Sequence, residues 1–188
     1  MKRFLGRDLK PYIEDQKLVA AVADGSQQAF AKIVKKYEMM IAKVAIGMLG
    51  NKADADDVGQ ETFIRFYRSV GQFKGDSSLG TYLSRITINL SLNELKKRKS
   101  KRWLSFEDKF NSHPKTEDAF KQSDTAELVN KALEKLESEF RSVIVLRLMQ
   151  GFSTKETAQI LELPLGTVLS RLSRAQEKLR VIILDLEK

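Results

Sequence analysis

STKETAQILELPLGTVLSRLSRAQEKLR, residues 153–180, decides the fold. Ser153 and Glu156 stand at capping-box spacing, which opens a helix. Ala158, Ile160 and Leu161 give that helix an apolar face, and Glu162-Leu163-Pro164 interrupts it. A second helix is expected to begin near Thr167, after Gly166. Val168, Leu172, Ala175 and Leu179 recur at helical spacing and form one stripe for burial. Thr167, Arg171, Arg174 and Lys178 recur at the same spacing on another face. Two short helices joined by a tight turn, the second exposing Ser170, Arg171 and Arg174, match a helix-turn-helix. Those donors suit phosphates and base edges in a major groove. The blander alternative is an amphipathic hairpin with a solvated cationic face, and the length of the matching pattern weighs against it.

Helical spacing continues outward from this stretch. Leu128, Ala132, Leu133 and Leu136 form one stripe; Phe140, Val143, Ile144 and Leu148 form another, ending at Gly151, a C′ residue. Residues 104–124 lose periodicity and contain Pro114, so they read as a linker, with His113 an exposed linker histidine. Upstream, a helix from about Leu79 to Lys99 carries Leu83, Ile86, Leu90 and Leu95. The loop GQFKGDSS, residues 71–78, precedes it. Another helix runs from near Asp54 to about Val70, with Phe63, Phe66, Tyr67 and Val70 on its apolar side. Residues 16–50 make one or two helices on Ala29, Phe30, Ile33, Val34, Tyr37, Ile41 and Val44, ended by Gly50-Asn51. Long alternating β-branched runs are missing. The expected fold is all-α: two small helical domains joined by a flexible linker, the C-terminal one a helix-turn-helix. The boundaries read as a tail at 1–15, a first domain at 16–103, a linker at 104–125 and a second domain at 126–188.

Composition narrows the chemistry. The 188 residues carry a net charge of +8, and KKRKSKR, residues 96–102, holds six basic and no acidic residues. Most of the excess is one cluster, a footprint for nucleic acid rather than a generally basic surface. With no Cys, disulfides and zinc-thiolate sites are excluded, and one His builds no His-rich metal site. No nucleophile–base–orienter set or P-loop is visible, so no enzyme activity and no cofactor are expected. No stretch approaches the roughly 20 apolar residues of a membrane span. Asp8, Lys10, Glu14 and Asp15 interrupt the N-terminus, which does not read as a secretory signal. The expected location is therefore cytoplasmic, without membrane insertion.

Two further constellations lie in the first domain. DADDVGQETFIRFYRSV, residues 54–70, places Asp54, Asp56 and Asp57 at a helix N-terminus, where carboxylates compensate the dipole. Asp57, Glu61, Arg65 and Arg68 share a face, with Gln60 adjacent, and this reads as a polar protein-binding surface. The carboxylates lack EF-hand spacing. A nuclease holding Mg²⁺ through Asp54, Asp56, Asp57 and Glu61 is a low-ranking rival. Arg85, Asn89, Asn93, Lys96 and Lys97 make a polar and basic stripe that leads into the cationic cluster. Phe73 and Tyr82 are candidates for stacking on unpaired bases, weighed against ordinary core packing.

Taken together, these motifs resemble the extracytoplasmic-function (ECF) sigma factors, the small two-domain class of bacterial transcription initiation factor. The resemblance spans roughly residues 16–183. DADDVGQETFIRFY resembles the core-polymerase-binding helix, FKGDSSLGTYLSRITINLSLNELKKRK the segment that captures and melts the −10 element, and ALEKLESEFRSVIVLRLMQGFSTKETAQILELPLGTVLSRLSRAQEKL the −35-binding domain. It implies core polymerase contacts at Asp54, Asp57, Gln60, Glu61 and Phe63. It implies −10 contacts at Phe73, Lys74, Tyr82, Arg85, Asn89, Asn93, Lys96, Lys97 and Arg98, with Asn89 near a flipped base and 71–78 as the specificity loop. It implies −35 contacts at Thr167, Ser170, Arg171, Arg174 and Lys178, and a phosphate contact at Arg141. The implied partners are core RNA polymerase, promoter DNA and an anti-sigma factor.

Some positions depart from the family pattern. Tyr82 stands where Trp is frequent, Asn93 where Asp is common, Glu137 for a frequent Pro, and Leu169 and Ser173 for cations or His. Glu162 replaces a Gly or Asn in the turn, where a left-handed backbone costs a non-Gly residue about 1 kcal/mol. The alternative function is a stand-alone helix-turn-helix regulator, which 153–180 fits nearly as well and the segments 54–70 and 73–99 argue against.

Overall fold

The computed structural model describes residues 9–104 and 124–187. Helix α1, Leu9–Ala23, ends at Gly25, whose φ of +90° turns the chain into α2, Gln27–Leu49. Ser26 caps α2 by accepting from the Ala29 N–H, and Gly50 closes it in the left-handed region. Asn51 then caps α3, Lys52–Arg68, through the Asp54 N–H. A single 3₁₀ turn, Val70–Gln72, leads to the 71–78 loop, and Ser78 accepts from the Thr81 N–H at the start of α4, Leu79–Leu104. The second domain holds α5, Asp124–Lys135, and α6, Ser138–Ile144, which continues as a π-helical turn over Val145–Met149. α7, Thr154–Leu161, and α8, Leu165–Leu186, complete it. Gly151 has φ +71°, as its place after a helix end requires. Among the described residues there is no strand, as the periodicity predicts.

Several boundaries differ from expectation; α4 runs to Leu104 rather than Lys99, and α5 begins at Asp124 inside the expected linker. α1 begins inside the stretch read as a tail, because tertiary contacts hold it: the Tyr12 hydroxyl donates to the Gly75 carbonyl, and Asp15 is buried against α2. α8 begins at Leu165 rather than near Thr167, since Pro164 presets the backbone ahead of the first turn. Residues 105–123 of the expected linker, with His113 and Pro114, and the tail up to residue 8 lie outside the described residues.

Each domain has its own apolar centre. In the first, Val19 and Val22 of α1, Ile33 and Ile41 of α2, Phe63 and Phe66 of α3, and Leu79 and Leu83 of α4 meet. In the second, Leu133, Leu136, Ile144 and Ala175 meet under Phe140 and Leu172. A third centre belongs to both domains. Val44, Met48 and Leu49 of α2, Val58 of α3 and Ile88 of α4 close over Val145, Leu146 and Ile160. The approach is tight: a Cβ on Gly47 would lie 3.0 Å from a Val145 methyl.

Arg141 fastens this seam. Its guanidinium donates to the Met48 carbonyl of α2 at 2.6 Å, and to the Glu134 and Leu136 carbonyls at 2.6 and 3.0 Å. These are carbonyls left over at the ends of α2 and α5, where no later turn supplies an N–H. Burial pulls the Arg141 pKa down, Glu134 acts against that, and an arginine stays charged regardless. Replacing it strands polar groups in the seam, so Arg141→Ala is expected to cost about 3 kcal/mol. Urea unfolding of the two proteins checks this; an unchanged midpoint would mean that water satisfies those carbonyls.

Candidate nucleic-acid interface

The helix-turn-helix forms as its residues dictate. The Ser153 hydroxyl accepts from the Glu156 N–H while the Glu156 carboxylate accepts from the Ser153 N–H, so both sides of the capping box are made. Thr157 and Ile160 face inward from α7. Glu162 ends α7 at φ +55°, the left-handed conformation expected of its turn. On α8, Val168 and Ala175 are buried and Leu172 and Leu179 half-buried, which is the predicted stripe. Ser170, Arg174 and Lys178 are exposed, while Thr167 and Arg171 are half-buried. Arg171 reaches Glu139 of α6 at 3.1 Å. Lys178 reaches Glu137 at 2.6 Å and lies over the Phe140 ring. That hydrogen bond from Lys178 holds the Glu137 carboxyl below its ordinary pKa. Leu165 and Leu169 stand exposed beside the cations.

On α4, Asn89, Asn93, Lys96 and Lys97 line an exposed face, as the spacing predicts. Leu83, Ile88 and Leu90 point to the core, and the Thr87 hydroxyl is absorbed by the Leu83 carbonyl. Arg98 does not join the open cations. It bonds Asp54 of α3 and donates to the Leu49 carbonyl at 3.1 Å. Lys74 is exposed in the 71–78 loop. Phe73 is half-buried, with its ring edge-on to Tyr82 at 5.1 Å, and Tyr82 also approaches the Ser69 hydroxyl at 3.3 Å.

Arg85 is turned to the other domain. It donates to the Gln159 carbonyl of α7 at 2.7 Å and pairs with Glu162 at 3.2 Å. Helix α7, the first of the helix-turn-helix, thus packs directly on α4. Sequence reasoning had no signal for this contact, nor for Glu139 under Arg171, because each partner lies far away in the chain or on a different helix.

On α3, Asp57 and Gln60 are exposed and Glu61 pairs with Arg65 at 2.8 Å. Asp54 faces Arg98 and not its neighbours, so the carboxylates of this helix do not converge. Among the described residues no three His, Asp or Glu side chains gather as metal ligands do. Two expected contact residues need correction. Phe63 is 8% exposed and belongs to the first-domain core, because its position on α3 faces inward beside Phe66. Arg141 is 6% exposed and spends its donors on backbone carbonyls, so it offers no phosphate contact in this arrangement. Among the described residues, no helix is long and apolar enough to cross a membrane.

Comparison with known proteins agrees with this geometry. Residues 33–101 match the sigma-70 region 2 family and residues 126–179 the sigma-70 region 4 family. The ECF RNA polymerase sigma factor SigW of Bacillus subtilis (strain 168) is 32% identical over 91% of this chain and 97% of its own length. Among solved structures, CnrH in complex with the cytosolic domain of CnrY aligns with a TM-score of 0.70 at 28% identity, covering 93% of this chain and 99% of that one. The sigma factor RpoE of Bartonella quintana, in complex with the anti-sigma factor NepR, aligns at 0.68 and 26% identity, covering 85% and 98%.

Proposed function

This chain belongs to the extracytoplasmic-function class of the sigma-70 family, and on that footing we propose how its surfaces divide the work of transcription initiation. The exposed acidic face of α3, with Asp57, Gln60 and Glu61 and with Asp54 at its head, docks on core RNA polymerase. The α4 face of Asn89, Asn93, Lys96 and Lys97, with the 71–78 loop, takes the melted −10 element. Ser170, Arg171 and Arg174 of α8, flanked by Thr167 and Lys178, read the −35 duplex. The observation that carries this reading is the outward display of an acidic face, a polar-cationic face and a helix-turn-helix in one chain. A stand-alone regulator has no need of the first two. The polymerase supplies the chemistry, so the chain acts in the cytoplasm without catalytic residues of its own.

The arrangement of the domains belongs to the proposal. The −35 and −10 elements lie about 25 base pairs apart, or about 85 Å of duplex at 3.4 Å per pair. Here α7 touches α4, with Arg85 bonded to the Gln159 carbonyl. One protein in this arrangement does not span both elements. The domains part before promoter capture, and Arg85 becomes available to the −10 strand only then. The likeness to the sigma factor RpoE, solved with the anti-sigma factor NepR, supports an anti-sigma partner for this chain.

Three outcomes test this reading. Asp57→Lys with Glu61→Lys should abolish binding to core polymerase while circular dichroism and the unfolding midpoint stay near wild type; retained affinity would move the docking site elsewhere. Lys96→Gln with Lys97→Gln should weaken promoter binding whatever the sequence and flatten the slope of log K against log salt by about 1.4–1.8. A change in sequence preference alone would refute the phosphate assignment. In Glu162→Gly, relief of the left-handed strain (about 1 kcal/mol) and loss of an exposed ion pair (about 0–1 kcal/mol) nearly cancel in stability. The free protein should stay as compact in X-ray scattering, because the shared apolar centre is untouched, yet bind promoter fragments up to about fivefold more tightly as Arg85 is loosened. Unchanged affinity would show that the Arg85–Glu162 pair does not restrain Arg85.

A further inference from the structure

We propose that helix α1 is a positioning element for −10 recognition: Tyr12, with Gln16 beside it, sets the conformation of the 71–78 loop and so its choice of base. The inference rests on the reading of that loop as the −10 specificity loop.

The loop is held from one side and open on the other. Its inner backbone meets α1 at Gly75, whose carbonyl accepts from the Tyr12 hydroxyl at 2.9 Å. Gly75 has φ +72°, and a Cβ there would lie 3.0 Å from Gln16 Nε2 and 3.2 Å from the Tyr12 hydroxyl oxygen. The twist favours glycine, and the nearest atoms to a side chain placed there would be the tips of Gln16 and Tyr12 on α1. Gln16 Nε2 is buried without a hydrogen-bond partner, a donor kept beside this same backbone. The outer side chains, Lys74 and Asp76, are exposed. A side chain on a loop reads a base only as well as its backbone is fixed, and Tyr12 supplies a fixed point at the middle of the loop.

α1 is itself anchored well enough to serve. Asp15 is 5% exposed; it accepts from Lys36 Nζ at 2.7 Å and from the Tyr37 hydroxyl at 2.6 Å, both on α2. Desolvation, with the Asp15 hydrogen bond added, pushes the Tyr37 pKa far up, so it remains a donor. Desolvation pulls Lys36 down, but the hydrogen bond and charge of Asp15, aided by Glu14, leave its pKa raised and the ammonium in place. The Tyr37 ring also lies 3.3 Å from where a Cβ on Gly80 would stand, in the first turn of α4. One tyrosine therefore touches both the anchor of α1 and the segment that follows the loop. Before the loop, α1 packs on the 3₁₀ turn Val70–Gln72.

The test selects promoter fragments, randomised at the −35 and −10 positions, for complexes of the full chain with core polymerase, and sequences the survivors. Tyr12→Phe removes one hydroxyl and no volume. It should lower the enrichment of the preferred base at the loop-read −10 position about threefold to tenfold, the worth of a hydrogen bond of about 0.7–1.4 kcal/mol. The −35 enrichment and the affinity for core polymerase should stay as in wild type, while the unfolding midpoint falls by no more than the loss of that one bond. Gly75→Ala, which displaces the loop from the other side of the same contact, should shift the same position. Lys74→Ala with Asp76→Ala reports on the loop itself. If that pair shifts −10 enrichment and Tyr12→Phe leaves it within twofold, the loop reads the base and the positioning role is overturned. If the loop pair shifts nothing, the loop reading fails and the inference with it. Equal losses at −35 and −10 in Tyr12→Phe would mark Tyr12 as merely structural and also overturn it.

Discussion

One guanidinium joins the two halves of this molecule. Arg141 rises from α6 and finishes hydrogen bonds that α2 and α5 leave open at their ends. Its stem crosses the seam where Val145 presses on Gly47 and where Met48, Ile88 and Ile160 share one apolar centre. With that residue buried, α7 comes down on α4, Arg85 meets Gln159, and the two domains behave as one body. The arrangement of every proposed promoter contact follows from this closure. Asp57 and Gln60 of α3 and Asn89, Asn93 and Lys96 of α4 stay exposed, whereas Arg85 is turned to the other domain.

Within the closed body, carboxylates stand where phosphates are expected. Arg85 pairs with Glu162, Arg98 with Asp54, Arg171 with Glu139 and Lys178 with Glu137. Two of these acids, Glu137 and Glu162, are positions where the chain departs from its family's usual Pro and Gly or Asn. The departure at Glu162 carries a backbone cost, since its φ is +55°. A residue in a strained conformation that also pairs with Arg85 across the two domains has a physical reason to be there. Exposed ion pairs of this kind contribute little to stability. They do orient the cations, and they must be exchanged when nucleic acid arrives. Each freed carboxylate offsets part of the counterion release that phosphate binding brings, so these pairs soften the salt dependence of any such exchange.

The helices were legible because each is a local statement. Ser153 and Glu156 announced α7, the spacing of Val168 and Ala175 gave α8 its buried side, and the Glu162 conformation followed from its place in the turn. The faces of α4 were legible for the same reason: Asn89, Asn93, Lys96 and Lys97 fall together by period alone. What sequence did not disclose depends on residues distant in the chain. Arg141 reads as a cation on a DNA-binding domain until Met48, ninety-three positions earlier, is seen to need its donor. Phe63 falls on the apolar side of α3 by period, and Phe66 and Leu83 enclose it there, against the polymerase contact that the resemblance implies. Tyr12 and Asp15 sit in a stretch with no strong period, and only the Gly75 carbonyl and the Lys36–Tyr37 pair make them a helix with a purpose.

Closure sets the energetic terms on which the protein works. Parting the domains returns some of the shared apolar surface to water, and a fully buried aliphatic side chain is worth about 1.5–3 kcal/mol. Val145, Leu146 and Ile160 all contribute to that centre, and the Arg141–Met48 bond breaks with it. The closed form therefore dominates unless a partner binds the open one more tightly. Promoter DNA alone gains the second domain's cations only by displacing Glu137 and Glu139, and gains Arg85 only after opening. The α3 face proposed for core polymerase meets no such obstacle, because Asp57 and Gln60 are exposed in the closed form. Binding in that order, polymerase first and promoter second, is what the burial of Arg85 and the exposure of Asp57 together favour.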